Sequence, residues 1–425
     1  MPDITSLRLG EQYSLIEHQS GLRLLLCPMK EFSTAYAIFA AKIGSIDDAF
    51  SLDGEPFVEV PMGIAHFLEH KLFESEKGDA FAQYAKTGAS ANAFTSFDRT
   101  AYLFSCTDNF AESLDVLLDL VTHPYFTEQT VQKEQGIIGQ EIRMYEDDPD
   151  WRVMFNLLGA LYHQHPLRHD IAGTVDSISK ITADVLHRCY RAFYNPHNMV
   201  LAVAGNFSLQ DVIDACDRLQ FSAPPSSVET RQVDEPKEIV TRRVEQTLEV
   251  ATPLFEIGFK GIAGSHRENM LAQIAGGVVC DLLVGESTAL YRQLYDEGLI
   301  NATFGSEIFA GPSYIIGLFS GESRDPDAVF ARLCEEVVRM QTDGINPEDF
   351  ERAKRAAYGH YAGMYGSVES MASLMVLTAF SDLDAYKPLD CLAELTVNDA
   401  QAFLREHFAT ERAALSVIVG ANYKD

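Results

Sequence analysis

Apolar positions fall into short continuous runs and into stripes of helical period, and the way the two alternate outlines the fold. Leu22 to Met29 and Ala35 to Ile43 are apolar runs of strand length separated by Lys30-Glu31, which predicts two core strands paired with each other. A polar loop leads to Gly63 to Lys71, where Ile64, Ala65, Phe67 and Leu68, together with Leu72, supply the apolar surface of a buried helix. Pro61 is placed for its first turn, where a missing N–H costs little. A short helix from Asp79 to Lys86 is stopped by Thr87-Gly88. Ala91 to Phe97 and Thr100 to Cys106 then form a hairpin turning at Asp98-Arg99. Phe110 to Thr122 is helical and ends before Pro124. Glu128 to Glu146 is a longer helix, with an acidic first turn, apolar Val131, Ile137, Ile138, Ile142 and Tyr145, and a stop at Pro149. Gly136 and Gly139 inside it cost about 1 kcal/mol each in helicity, and their expected use is close approach to the Gly63 to Lys71 helix.

A second pattern spans the chain. The helix Asp184 to Tyr194, the dipeptide Asn195-Pro196 and the strand Met199 to Ala204, ending at Gly205, are followed far downstream by Asp399 to Phe408, Ala414 to Val419 and Gly420. The pairs Asp184/Asp399, Phe193/Phe408 and Gly205/Gly420 match without gaps at one offset, which reads as an internal duplication. Ser222 to Pro236, with Pro224-Pro225-Ser226-Ser227 and several charges, is the expected linker. The expected division is therefore a domain at 1–221, a linker at 222–237 and a second domain at 238–425. Each copy mixes strands and helices without βαβ alternation, so the fold class is α+β, two tandem homologous domains. Where the second copy places the counterpart of the Gly63 to Lys71 helix, the chain reads Val278-Val279-Cys280-Asp281-Leu282-Leu283.

The chemistry concentrates in the first copy. His66, Glu69 and His70 form His-x-x-Glu-His, the inverted zinc-peptidase signature. Residues four apart share a helix face, so His66 and His70 can aim two imidazoles at one metal ion. Glu69 lies beside that face, free to act as a base on water polarised by the metal. A third ligand is needed. Glu134 and Glu141 stand two turns apart on one face of the Glu128 to Glu146 helix, and one of them is the natural candidate. His163, His165 and His169 are irregularly spaced and read as ordinary polar histidines, and Trp151 and Phe155 as packing residues.

Composition narrows the setting. The 425 residues are 47% hydrophobic, ample for large cores, and carry a formal charge of −29, which argues against nucleic acid or an anionic membrane surface as partner. Seven dispersed cysteines without a C-x-x-C pair read as reduced thiols. No apolar run approaches the ~18 residues a membrane helix needs, and Met1 to Thr5 lacks the opening of a signal peptide. The expected location is the cytoplasm.

These residues resemble the pitrilysin/insulinase family of zinc metallopeptidases over essentially the whole chain. The likeness is greatest to its short bacterial two-domain branch related to mitochondrial processing peptidase. It rests on the inverted motif, on Glu134-Gln135-Gly136-Ile137-Ile138-Gly139-Gln140-Glu141-Ile142, on Asn92-Ala93 and on the two tandem halves. It implies one Zn2+ per chain bound by His66, His70 and Glu141, with Glu69 as general base and Glu134 as the nearby glutamate supporting the site. It also implies that Asn92 and Ala93 lie on a strand that pairs with substrate backbone. One departure stands out. Active relatives carry an Arg and a Tyr a few residues apart in the second half, where this chain has Tyr295 and Asn301. The resemblance then implies a homo- or heterodimer with a family member supplying that pair. The leading expectation is a metalloendopeptidase acting on peptides or small unfolded proteins. The alternatives are a non-catalytic scaffold subunit of the same family and a maturation peptidase dedicated to one secreted peptide.

Overall fold

The apolar runs Leu22 to Met29 and Ala35 to Ile43 become strands of one sheet. A computed structural model describes residues 3–76, 78–221 and 227–421, so residues 222–226 of the expected linker lie outside the described residues. Contacts divide the chain into two units, and each unit is built from three stretches of chain.

The first unit comprises Met1–Ile142, Asp170–Gln232 and Ala362–Tyr386. Its sheet uses β1 (Asp3–Thr5), β2 (Gln12–Glu17), β3 (Arg23–Pro28), β4 (Ala35–Ala41), β5 (Ser90–Thr95), β6 (Thr100–Cys106) and β7 (Met199–Gly205). The spatial order is β1-β2-β3-β7-β4-β6-β5. The expected pairing of β3 with β4 is therefore corrected: β7 lies between them, parallel to β3 and antiparallel to β4. All seven residues of β7 are buried, as are all seven of β4. A strand so uniformly apolar belongs in the interior of a sheet, and β7 meets that requirement better than either edge would allow. At the opposite extreme β5 alternates exposed and half-buried positions and ends the sheet, with no strand on its outer edge among the described residues.

Two helices of this unit matter for chemistry, α1 (Ile64–Leu72) and α2 (Glu128–Glu146). The N-cap of α1 is Gly63 in the left-handed conformation, φ 88°, so Pro61 precedes the helix and does not form its first turn. Only glycine fits there, because a Cβ would stand 2.3 Å from the Ala172 carbonyl oxygen. In α2 the expected role of the glycines is also corrected. Added Cβ atoms at Gly136 and Gly139 would meet nothing within 4 Å, so neither residue is there for close approach.

The second unit comprises Arg143–His169, Val233–Tyr361 and Lys387–Asp425. Its sheet uses β8 (Arg243–Thr247), β9 (Leu254–Lys260), β10 (Gly305–Gly311), β11 (Tyr314–Glu322) and β12 (Ala413–Val419), in the order β8-β12-β9-β11-β10. The β8 and β12 strands are parallel and the remaining pairs antiparallel, repeating the β3-β7-β4-β6-β5 arrangement strand for strand. Both units are thus α+β domains sharing this five-strand core, which β1 and β2 extend in the first. Two helices complete the second: α3 (Pro149–Leu161) and α4 (His266–Val284). The α4 helix packs against β10 as α1 packs against β5.

The helix that follows α2 in the chain belongs to the second unit, and a helix late in the chain belongs to the first. α3 packs on β9 and β12 of the second unit, where Gly258 makes room for it: a Cβ would lie 2.8 Å from Leu161 and 3.0 Å from Leu157. The late helix, α5 (Val368–Phe380), packs on β7, β4 and β3 of the first unit. There Arg23 Nη1 and Lys42 Nζ donate to the terminal carbonyls of Ala379 (3.1 Å) and Phe380 (3.3 Å), placing cations at the negative end of the helix. The end of α3 is held by the buried ammonium of Lys260. It donates to the carboxylate of Glu235 (2.7 Å) and to the carbonyls of Leu161, Pro236 and Glu238, over the face of Tyr162. Glu235 in turn accepts the backbone N–H groups of His163, Gln164 and His165, each at 2.8 Å. All seven cysteines are free thiols, and among the described residues no single helix is long and apolar enough to cross a membrane.

Candidate metal centre

The site is built by two helices that bury polar groups among apolar ones. In α1, Ile64, Ala65, Phe67, Leu68 and Leu72 are buried, and His66 is buried with them. In α2 the buried stripe is Val131, Glu134, Ile138 and Ile142, so a carboxylate occupies a core position one helical turn above an isoleucine. Burying it requires a partner. The partner is His70, whose Nδ1 lies 3.0 Å from Glu134 Oε1.

Glu141, two turns further along α2, faces both imidazoles. Its Oε1 is 3.7 Å from His66 Nε2 and its Oε2 is 3.5 Å from His70 Nε2. The three ligand atoms all lie within 4.8 Å of one another. The donor set of two imidazole nitrogens and one carboxylate oxygen is one that zinc takes. Because a carboxylate only accepts, His70 carries its proton on Nδ1 and turns the Nε2 lone pair toward the centre. The protonation of His66 fits as well. Burial, reinforced by the charge of His70, lowers the pKa of His66 to about 3 and keeps that ring neutral, as a ligand must be. At His70 burial works in the same direction but is outweighed by the Glu134 hydrogen bond and the charges of Glu141 and Glu69, so its pKa is raised.

Glu69 stands next to this group without joining it. Its Oε2 accepts a hydrogen bond from Thr95 Oγ1 at 2.6 Å. Burial raises its pKa, while the Thr95 hydrogen bond and His70 oppose the shift. A second link ties the two helices: Lys71, fully buried, pairs with Glu74, and Glu74 also lies 3.7 Å from Lys133. Asn92 and Ala93 are in β5, the edge strand, where the Ala93 N–H donates to Asn92 Oδ1 (2.9 Å).

The sequence-derived residues His66, Glu69, His70, Glu134 and Glu141 are thus brought together, with β5 alongside α1. Tyr295 and Asn301 belong to the second unit. Tyr295 is half exposed and stacks on Tyr291, and Asn301 binds Glu322 and Thr303. His165 has both ring nitrogens engaged, with Ser313 Oγ and the Leu167 N–H, as befits an ordinary polar histidine. Thr95, Lys71 and Glu74 were not singled out from the sequence. Alternation along β5 contains the signal for Thr95, which shares a face with Ala93, whereas the Lys71–Glu74–Lys133 link gave none.

Comparison with known proteins extends the match from the site to the chain. Residues 59–175 match the sequence model of the insulinase family, Peptidase family M16, and residues 180–357 that of the Peptidase M16 inactive domain. An uncharacterized zinc protease of Bacillus subtilis, YmfH, is 38% identical over 94% of this chain and 95% of its own length. An Arabidopsis thaliana relative named for the mitochondrial-processing peptidase beta subunit is 26% identical over 50% of this chain and 41% of its own. The crystal structure of an M16-like peptidase from Alicyclobacillus acidocaldarius superposes with a TM-score of 0.91 at 34% identity, covering 99% of each chain. With the likeness running through both halves, and the His66–His70–Glu141 group lying in the half that the insulinase-family model matches, the chain belongs to the insulinase family of peptidases, family M16.

Proposed function

We propose that the chain is a zinc-dependent metalloendopeptidase hydrolysing peptides or small unfolded proteins. The observation that carries this reading is the convergence of His66, His70 and Glu141, with Glu69 beside them and hydrogen-bonded to a strand. His66 Nε2, His70 Nε2 and a Glu141 oxygen would hold Zn2+, and Glu134 would orient His70. Zinc, when bound there, supplies Lewis acidity that activates water and polarises a peptide carbonyl. Glu69 takes the proton from the attacking water and delivers it to the departing amine. The open edge of β5 accepts an extended peptide by strand addition, the incoming chain replacing Asn92 Oδ1 at the Ala93 N–H. Main-chain pairing of this kind reads conformation more than sequence, so cleavage preference should be loose.

Tyr295 and Asn301 favour a partner. Neither residue type reproduces the Arg/Tyr pair that the resemblance leads one to expect, so a second family member supplying it, in a dimeric clamshell, is part of this reading. A cytoplasmic location accords with seven free thiols. Substitution Glu69→Gln tests the mechanism: cleavage should fall by about 10²- to 10⁴-fold with zinc still bound. Full activity in that variant would remove Glu69 from the chemistry. Cleavage by the chain alone at a rate no partner changes would remove the heterodimer.

A further inference from the structure

Glu69 accepts a hydrogen bond from a hydroxyl carried on β5. In the β5–β6 ladder Thr95 stands opposite Thr100 and Ala93 opposite Tyr102, so the four side chains share a sheet face. The hydroxyls of Tyr102 and Thr100 on this face have partners other than Glu69. Tyr102 and Tyr194 hydrogen-bond to each other at 2.9 Å, and Thr100 Oγ1 donates to the Ile43 carbonyl at 2.9 Å. Among the described residues, Thr95 is the side chain that donates to the Glu69 carboxylate.

We infer that Thr95 is a positioning residue for the general base: its hydroxyl fixes one Glu69 oxygen and thereby holds the other toward the attacking water. This rests on the peptidase reading above. A glutamate side chain turns about three bonds, and a base works only within hydrogen-bond reach of its proton. Threonine is branched at Cβ and stiff at χ1, so a hydroxyl carried on a strand is a fixed donor. The bond goes to one oxygen, Oε2, leaving Oε1 with its lone pairs free. Thr95 also lies on the strand whose edge is proposed to pair with substrate, two residues from Ala93. One short strand therefore sets both the register of the peptide and the aim of the base.

Kinetics of Thr95→Val and Thr95→Ser on a peptide that the wild-type chain cleaves, with any partner it needs, separate this role from packing. A charge-assisted hydrogen bond of this type predicts that Thr95→Val lowers kcat by about 10- to 100-fold. KM should stay within about twofold and one zinc should be retained, because uniform binding is untouched. Thr95→Ser, which restores the donor, should recover to within about threefold of wild type. Unchanged kcat in Thr95→Val overturns the inference. So do loss of zinc, or a KM change matching the kcat change that serine does not rescue, either of which marks a structural role. Crystals of the metal-free proteins give a readout independent of turnover: the Glu69 carboxylate should sit against residue 95 in wild type and serine, and leave it in valine. Thr95→Ala replaces valine should valine not fold. A wild-type chain that cleaves nothing would instead refute the peptidase reading, a different result from equal cleavage by wild type and valine.

Discussion

His70 Nδ1 lies 3.0 Å from Glu134 Oε1, and this contact joins the helix bearing the histidines to the helix bearing Glu141. It fixes the tautomer of His70 and satisfies a carboxylate buried in the α2 stripe. Glu134→Ala should weaken zinc affinity by about 10- to 100-fold, measured by competition with a chromophoric chelator. Glu141→Ala should weaken it further, since it deletes an oxygen from the converging group itself. The reverse ranking would exchange the roles of the two glutamates.

Glycines in the two site helices should respond oppositely to alanine. Gly136→Ala fills open space on an exposed helix position and should stabilise by about 0.5–1 kcal/mol. Gly63→Ala puts a Cβ 2.3 Å from the Ala172 oxygen at φ 88° and should destabilise by at least about 2 kcal/mol. Denaturant unfolding followed in parallel for both variants checks the pair.

Glu235 predicts an acid limb of stability. Burial works to raise its pKa but is overcome by Lys260 and three backbone N–H groups, which bring it to about 2. A depressed carboxylate contributes stability that is complete above its unfolded value of roughly 4.5 and is lost as pH falls toward 2. Glu235→Gln should cost about 3 kcal/mol near neutrality by leaving Lys260 without its counter-charge. The difference from wild type should shrink below pH 4.5 and vanish near pH 2. A difference constant with pH would contradict this assignment.

Glu256 predicts the opposite slope. It is buried in β9 with Oε2 unpartnered, and burial, reinforced by Glu307, raises its pKa to about 8. The folded chain therefore holds an extra proton between roughly pH 4.5 and 8, and stability falls as pH rises through that window. Glu256→Gln keeps the neutral form at all pH. Relative to wild type it should gain on the order of 1–3 kcal/mol between pH 5 and 8.5, read from paired unfolding curves.

How much of this was legible in the chain depended on the range of the interaction. Helical period placed Phe110–Thr122 and Glu128–Glu146 at their observed bounds, and i, i+4 spacing put His66 and His70 on one face. Duplication was legible because the residue types of Asp184, Phe193 and Gly205 recur at one offset, and the second sheet repeats the order of five of the first sheet's seven strands. Strand adjacency was not, because an apolar run such as β7 is equally suited to any interior position, and the choice is made by distant chain. The placement of α3 and α5 in their units was hidden for the same reason: amphipathicity says that a helix buries a face, not which sheet receives it. Within the site, the choice of Glu141 over Glu134 needed the resemblance, since both carboxylates share one helix face.

Whether His66, His70 and Glu141 hold a zinc that cleaves peptides is decided by assaying the zinc-loaded chain, alone and with a sister protein carrying the Arg/Tyr pair, with metal content followed in the same samples. One zinc per chain and hydrolysis of a mixed peptide library in at least one arm are expected. Activity should be lost on chelation and restored by zinc. Cleavage that survives complete removal of the metal, or a chain that takes up no zinc at the His66–His70–Glu141 group, would contradict the zinc-peptidase reading.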